Sequence, residues 1–282
     1  MILIINKKNH MIKQAIIPLA GLGTRMLPLT SVIPKELMPI NGKPNLQYIL
    51  DECIDAGIKE FIFIISKKKL SIKKYFFNDN FYKKILKKKK DKRLFEEYKK
   101  IKKYQKMIKF VYQNKPKGTG DAVLKCKKLI KGDYFLMLLA DDLIINKNCS
   151  KEMIKLHKLK KSSVIATKKV EKKAVSRWGI LSIKNKKKNY FQINDVVEKP
   201  SIKNAPSNYA IIGRYILPKK IFYEINKLKP GQGGEIHITD AIRNLIHKKN
   251  KFFGNIFKGR YLDCGTLKGY INSGAEIYKG KK

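Results

Sequence analysis

The chain has 282 residues, 43% of them hydrophobic and 10% aromatic, which is enough apolar material for a buried core and excludes wholesale disorder. Its 64 lysines and arginines against 22 acidic residues leave a formal net charge of +42, an excess that ordinarily signals a polyanionic partner. Only six of the basic residues are arginine (Arg25, Arg93, Arg177, Arg214, Arg243, Arg260), whereas base-reading proteins rely on arginine's planar fork, so no specific nucleic-acid partner is expected.

The apolar start Met1 to Ile5 precedes Lys7, Lys8 and His10, the reverse of a secretory signal's order. Residues 1–10 are expected to be a frayed extension and residues 11–282 a single domain. Gln14 to Leu19 is a continuous apolar run of the type buried on both faces of a parallel sheet. A glycine loop follows. Leu46, Ile49, Leu50, Cys53 and Ile54 then recur at helical spacing and stop at Gly57, which predicts a glycine-capped helix over Leu46 to Ala56. With Phe61 to Ile65 as the next strand, these pieces make a βαβ unit. Its repetition predicts an α/β fold: a Rossmann-like, doubly wound, mostly parallel mixed sheet flanked by helices, with the ligand site at the strands' carboxyl ends.

From Lys67 to Lys109 there are 19 basic and four acidic residues, a net of +15. Phe77, Phe81, Ile85, Leu94, Phe95, Tyr98, Ile101 and Tyr104 recur through it at helical spacing, predicting a lysine-rich helical insertion of one or two amphipathic helices with lysine facing solvent. Lysine, isoleucine and asparagine share adenine- and thymine-rich codons, which points to base-composition drift as the source of the charge. Asp133 to Ala140 is expected to be a further buried strand, and Val164 to Ala166, Gly179 to Ile183, Val196 to Val197 and Tyr209 to Leu217 are expected to be strands too. Ala241 to His247 reads as part of a helix opened by Thr239 and Asp240 as a capping pair. Cys53, Cys126, Cys149 and Cys264 lack metal-site spacing, and no apolar run approaches the ~18 residues of a membrane span. A soluble, cytoplasmic protein in a reducing compartment is expected.

Chemistry concentrates in Ala20 to Pro39. Gly21 and Gly23 let the backbone turn tightly and bring its amides to a phosphate chain, while Arg25 and Lys35 supply positive charge. Alone, this Gly-x-Gly fits a plain strand-to-helix turn equally well. No Gly-Lys-Ser/Thr follows as in a Walker A loop, and Met26 stands where Gly-x-Gly-x-x-Gly needs its third glycine. Asp141 follows one apolar strand and Asp263 another; each is either a hard oxygen ligand for Mg²⁺ or a turn residue. Glu198-Lys199-Pro200 in isolation reads as a surface turn.

The run Gly21 to Pro28 (GLGTRMLP) followed by Ile33 to Pro39 (IPKELMP) resembles the signature of the sugar-1-phosphate nucleotidylyltransferases, in the form of the branch that joins UTP to glucose 1-phosphate. Further matches come in the family's order: Gln113 with Lys117 to Gly120, Ala140-Asp141-Asp142, Val196 to Pro200, Ser207 to Leu217, Gly234 to Ala241, and Asp263-Cys264-Gly265. They cover Lys13 to Tyr270. The resemblance implies an enzyme that aligns the sugar-phosphate oxygen with the α-phosphorus of UTP and neutralises the charge that builds there, with no serine or cysteine nucleophile. It implies catalytic roles for Arg25, Lys35 and Asp141, and nucleotide contacts from Ala20, Gly21, Gly23, Thr24, Gln113 and Gly118. It further implies sugar-phosphate contacts from Gly179, Glu198 and Lys199, Mg²⁺ held by Asp141 and Asp263, and a homo-oligomer, dimer or tetramer. Gln113 would match a uracil edge with both donor and acceptor, and Gly118 would allow close backbone approach.

This sequence departs from the family pattern at Asp121 (often histidine), Ala140 (proline), Trp178 (tyrosine), Gly234 (acidic) and Asp142 (apolar). Asp142 is expected either to compete as a ligand or to face solvent. Two other readings stand beside uridylyl transfer: a nucleotidylyltransferase for another sugar phosphate or base, and a basic protein that docks nucleic acid on the Lys67 to Lys109 face.

Overall fold

The structure, a computed structural model, describes residues 11–77, 80–89 and 91–280; the extension expected at residues 1–10 lies outside them. In chain order, β1 (Gln14–Pro18) leads through the glycine loop to β2 (Pro39–Ile40), β3 (Lys43–Pro44), α1 (Asn45–Asp55) and β4 (Glu60–Ile65). The lysine-rich segment forms α2 (Leu70–Phe77), α3 (Asn80–Lys89) and α4 (Lys92–Gln105) before β5 (Ile108–Tyr112). Next come α5 (Thr119–Leu124), β6 (Tyr134–Leu138), β7 (Asp142–Ile145), α6 (Cys149–Lys160), β8 (Ser163–Lys169), β9 (Gly179–Lys184), β10 (Tyr190–Glu198) and β11 (Tyr209–Pro218). The remaining elements are α7 (Ile221–Lys227), α8 (Ile238–His247), β12 (Phe252–Ile256), β13 (Arg260–Asp263) and α9 (Leu267–Lys279).

Nine strands make one mixed sheet in the order β5-β4-β1-β6-β11-β8-β12-β10-β9. β5, β4, β1 and β6 run parallel, as the βαβ reading expects, whereas β11 is antiparallel to both β6 and β8. Successive side chains point to opposite faces. Ala15, Ile17, Phe61 and Phe63 therefore pack with Leu46, Ile49, Ile72 and Phe76 in one core, and Ile16, Ile62 and Ile64 with Val123, Phe222 and Ile242 in the other. Helices cover both faces, which is why these strands read as unbroken apolar runs.

α1 stops where its sequence requires. Gly57 takes φ +93°, and the amides of Gly57 and Ile58 donate to Ile54 O and Cys53 O, each at 3.0 Å, the two bonds of a left-handed glycine cap. All four cysteines are buried and unpaired. Among the described residues no helix is long and apolar enough to cross a membrane.

Several expectations need correction. The lysine-rich segment holds three helices, because Asp91 restarts the chain as a helix: its carboxylate accepts from Leu94 N at 3.0 Å, a side-chain N-cap. The aromatics Phe76 and Tyr104 from α2 and α4 are buried and meet edge-on at 6.2 Å, so this face is spent on the core. Thr239 and Asp240 do not cap α8, which begins at Ile238 with no side-chain cap bond; Thr239 Oγ1 donates instead to Glu198 Oε2 at 2.9 Å. The strand expected through Ala140 ends at Leu138, and the chain bends into β7, which pairs antiparallel with β13.

Candidate active site

The loops after β1, β5 and β6 open at the carboxyl ends of parallel strands, the usual ligand position in such sheets. They line a cavity of about 410 Å³ with Ala20, Gly21, Gly23, Thr24, Arg25, Lys35, Gln113, Gly118 and Asp141. A second cavity of about 280 Å³ is lined by Gly179, Glu198, Lys199 and Asp263, together with Arg25 and Asp141. Every site residue expected from the sequence thus lines one of two adjoining cavities, and Arg25 and Asp141 line both.

The glycine loop is shaped by steric need. Gly23 has φ +72°, and a Cβ there would stand 3.1 Å from the Thr30 methyl; Thr30 Oγ1 in turn donates to Gly23 O at 2.8 Å. Met26 is 1% exposed and anchors the turn Thr24–Met26, which leaves Arg25 exposed at its crest. Lys35 reaches Asp141 Oδ2 at 2.5 Å. Burial pulls the Lys35 ammonium downward, but the charges of Asp141 and Glu36 outweigh it and its pKa is raised. The same pairing works on Asp141: burial pushes the carboxyl up, and Lys35 and Arg25 more than reverse this.

Next to Lys35, Glu36 is 2% exposed and accepts from Lys69 Nζ through both oxygens at 2.8 Å. One lysine of the basic run is therefore inside the protein, fixing the turn that carries Lys35. Its own pKa is lowered by burial, partly offset by Glu36.

Residues 141 and 263 are brought together by the β7–β13 ladder, in which Asp142 is opposite Asp263 and Cys264 N donates to Asp141 O at 2.7 Å. The two carboxylates converge over Gly265: a Cβ there would lie 2.8 Å from Asp141 Oδ2 and 3.3 Å from Asp263 Oδ1. Asp263 Oδ1 accepts from Gly265 N at 2.8 Å, and its Oδ2 stands 3.6 Å from Arg177 Nη2. Asp142 neither faces solvent nor offers free oxygens. It is 8% exposed, and its oxygens accept from Gly213 N at 3.0 Å and Tyr261 OH at 2.7 Å. Burial and the neighbouring Asp141 charge push its pKa up to about 6. Beneath this bend the fully buried Arg214 donates to Glu52 Oε2 at 2.9 Å and to Leu139 O at 3.4 Å, tying the end of β6 to α1.

On the other wall, Gln113 follows β5 and is 5% exposed. Its Nε2 donates to Gly118 O at 3.2 Å and Asp121 Oδ2 at 2.7 Å. Gly118 has φ +95°, and a Cβ would fall 2.6 Å from Ile236 O, so the close approach that it permits is to the loop before α8. In the second cavity Gly179 is opposite Glu198 in the β9–β10 ladder. A Cβ on Gly179 would come within 3.2 Å of Glu198 Oε2. Lys199 follows with φ +44°, turned away from the strand's extended path.

Sequence reasoning missed Lys69, Arg214, Tyr261 and Thr239, which support the site from behind. Their signals are tertiary: a buried Glu36 or Glu52 requires a cationic partner, but nothing local says which of 64 basic residues supplies it. Comparison with known proteins fits this geometry. A nucleotidyl transferase family model matches residues 14–280. A Methanocaldococcus jannaschii protein is 38% identical over 269 residues, covering 95% of this chain and 93% of its own. UTP-glucose-1-phosphate uridylyltransferase 1 of Staphylococcus saprophyticus is 36% identical over 263 residues, covering 93% of this chain and 91% of its own. A crystal structure of UDP-glucose pyrophosphorylase complexed with UDP-glucose superposes with a TM-score of 0.85 at 36% identity, covering 96% of this chain and 100% of that one. The chain belongs to the nucleotidyl transferase family.

Proposed function

We propose that this protein transfers a uridylyl group from UTP to glucose 1-phosphate, giving UDP-glucose and pyrophosphate. The observation that carries the reading is the shared wall: Arg25 and Asp141 line both cavities. A nucleoside triphosphate in one and a sugar phosphate in the other meet there. The names of the relatives supply the identities of base and sugar.

The sugar-phosphate oxygen is already an anionic nucleophile, so the protein's work is alignment and charge stabilisation. The amides of Ala20, Gly21, Gly23 and Thr24, with Arg25 and Lys35, hold the triphosphate and stabilise the departing pyrophosphate. Gln113 and Gly118 contact uracil. Glu198, steadied by Thr239, accepts from glucose hydroxyls, Lys199 holds the sugar's phosphate, and Gly179 leaves room for the ring.

The residues also fit a magnesium ion. Asp141 and Asp263 point hard oxygens at the space that only a glycine at 265 leaves open. No larger group of ligating side chains occurs among the described residues, which matches an ion that completes its shell with phosphate oxygens and water. When bound, Mg²⁺ supplies charge neutralisation at the phosphate being transferred. Lys35, paired with Asp141 in this structure, lines the same cavity that would receive the triphosphate.

Residues 11–282 are proposed to act as one cytoplasmic catalytic domain, in keeping with a nine-stranded sheet that takes strands from β1 to β12, and to assemble as a dimer or tetramer. The decisive substitution is Asp141→Asn. Pyrophosphate release should fall by about 10²- to 10³-fold with an unchanged circular dichroism spectrum, and near-parent turnover would contradict the reading.

A further inference from the structure

We infer that Asp121 fixes the orientation of the Gln113 amide and thereby makes the base pocket select pyrimidines that carry a proton on N3. The inference rests on the proposed contact between Gln113 and the base.

A glutamine amide is ambiguous by itself: turned one way it presents an acceptor to a ligand, turned the other way two donors. Here both amide protons have partners. Nε2 donates to the Gly118 carbonyl at 3.2 Å and to Asp121 Oδ2 at 2.7 Å, and neither partner can donate in return. Turning the amide over would set Oε1 against a carbonyl oxygen and a carboxylate oxygen at hydrogen-bond distance, two repulsive contacts in place of two attractive ones. Asp121 is itself held: it belongs to the first turn of α5, its side chain is only 15% exposed, and Lys125 Nζ stands 3.7 Å from its other oxygen.

What Gln113 retains for a ligand is therefore Oε1, an acceptor. Uracil and thymine offer N3–H to such an atom. Cytosine N3 is a bare acceptor, so it meets Oε1 lone pair to lone pair and leaves both atoms without a proton. Asp121 acts as a positioning residue; it need not touch the nucleotide.

The test compares kcat/KM for UTP and CTP in the parent and in Asp121→Asn. An asparagine is isosteric but offers its own N–H₂ to an inverted glutamine, so the shorter of the two repulsive contacts becomes attractive and only the Gly118 carbonyl still opposes inversion. The UTP-to-CTP ratio should fall by about tenfold or more, with the UTP loss appearing in KM, while the ratio of UTP to dTTP stays at the parent value because both carry N3–H. Asp121→Glu keeps a carboxylate and should hold the UTP-to-CTP ratio within about threefold of the parent. It also provides a folded comparison should the asparagine variant lose thermal stability. A UTP-to-CTP ratio unchanged in a folded Asp121→Asn overturns the inference. Gln113→Leu separates this from the underlying reading: an unchanged KM for UTP in that variant refutes the base contact itself. A raised KM there, with an unchanged ratio in Asp121→Asn, refutes only the role of Asp121.

Discussion

Two stretches of 43 residues, Ala15 to Gly57 and Lys67 to Lys109, carry net charges of −1 and +15. The nearly neutral one forms the glycine loop and contributes Arg25 and Lys35 to the cavity. The basic one forms α2, α3 and α4; Ile72 and Phe76 of α2 and Ile101 and Tyr104 of α4 pack on the core, while most of the described lysines stay on the surface. Lys69 stands apart among the described lysines, since it is buried against Glu36 of the other stretch. Lys35 and Lys69 are set apart from the exposed lysines by the specific acidic group that each one meets. Density of charge along the chain is no guide.

That contrast can be broken at its strongest point by Lys35→Gln. Removing the cation that pairs with Asp141 should lower kcat by about 10²- to 10³-fold, read as pyrophosphate release; a fall of less than tenfold would place the phosphate charge elsewhere. Lys69→Met should destabilise by about 3–5 kcal/mol in urea unfolding, because it strands the buried Glu36 carboxylate. The double variant with Glu36→Gln should recover much of that loss. Gly118→Ala tests the wall that joins β5 to the loop before α8: a strained φ and a 2.6 Å contact with Ile236 O should together cost about 1–3 kcal/mol.

The smallest effects sharpen the comparison from the basic side. Joint charge reversal at Lys84, Lys88 and Lys103 should leave kcat/KM for UTP at the parent value at physiological salt, where exposed charges are screened; a large loss would show that the basic face steers substrate. Glu60 binds the last lysine of the run, Lys109 Nζ, at 2.9 Å and Gln14 Nε2 at 2.6 Å. Burial pushes its carboxyl up, but these partners hold it below its usual 4.5. A depressed folded value means stability that is fully present above pH 4.5 and lost as pH falls from there through the lower folded value, so Glu60→Gln should make the acid limb of unfolding shallower.

Most of the site was legible because its residues sit in local motifs at strand ends. Gly21 to Lys35, Gln113 to Gly118 and Glu198-Lys199 are each continuous, so they could be matched to the family's motifs in order; without that resemblance the glycine loop fits a plain turn and Glu198-Lys199 a surface turn. What escaped depended on partners far away in sequence. β7 exists only because β13, more than a hundred residues on, pairs with it. The burial of Asp142 follows from that pairing and from β11, which carries Gly213. Thr239 has the composition of a helix cap, yet Glu198 on a neighbouring strand takes its hydroxyl. The third helix of the basic segment was a local feature overlooked, since Asp91 followed by an apolar residue three positions later is a readable N-cap, and so were the N-caps Asn148 of α6 and Thr266 of α9.

The two cavities should work as one catalytic centre for uridylyl transfer. The direct measurement is pyrophosphate release by the purified protein with glucose 1-phosphate and Mg²⁺, run in parallel with UTP, dTTP, CTP, ATP and GTP. Turnover with UTP should stand well above that with every other nucleotide, UDP-glucose should appear in step with pyrophosphate, and chelation should abolish both. Turnover with CTP or a purine nucleotide but none with UTP, or no UDP-glucose from glucose 1-phosphate, would contradict this reading.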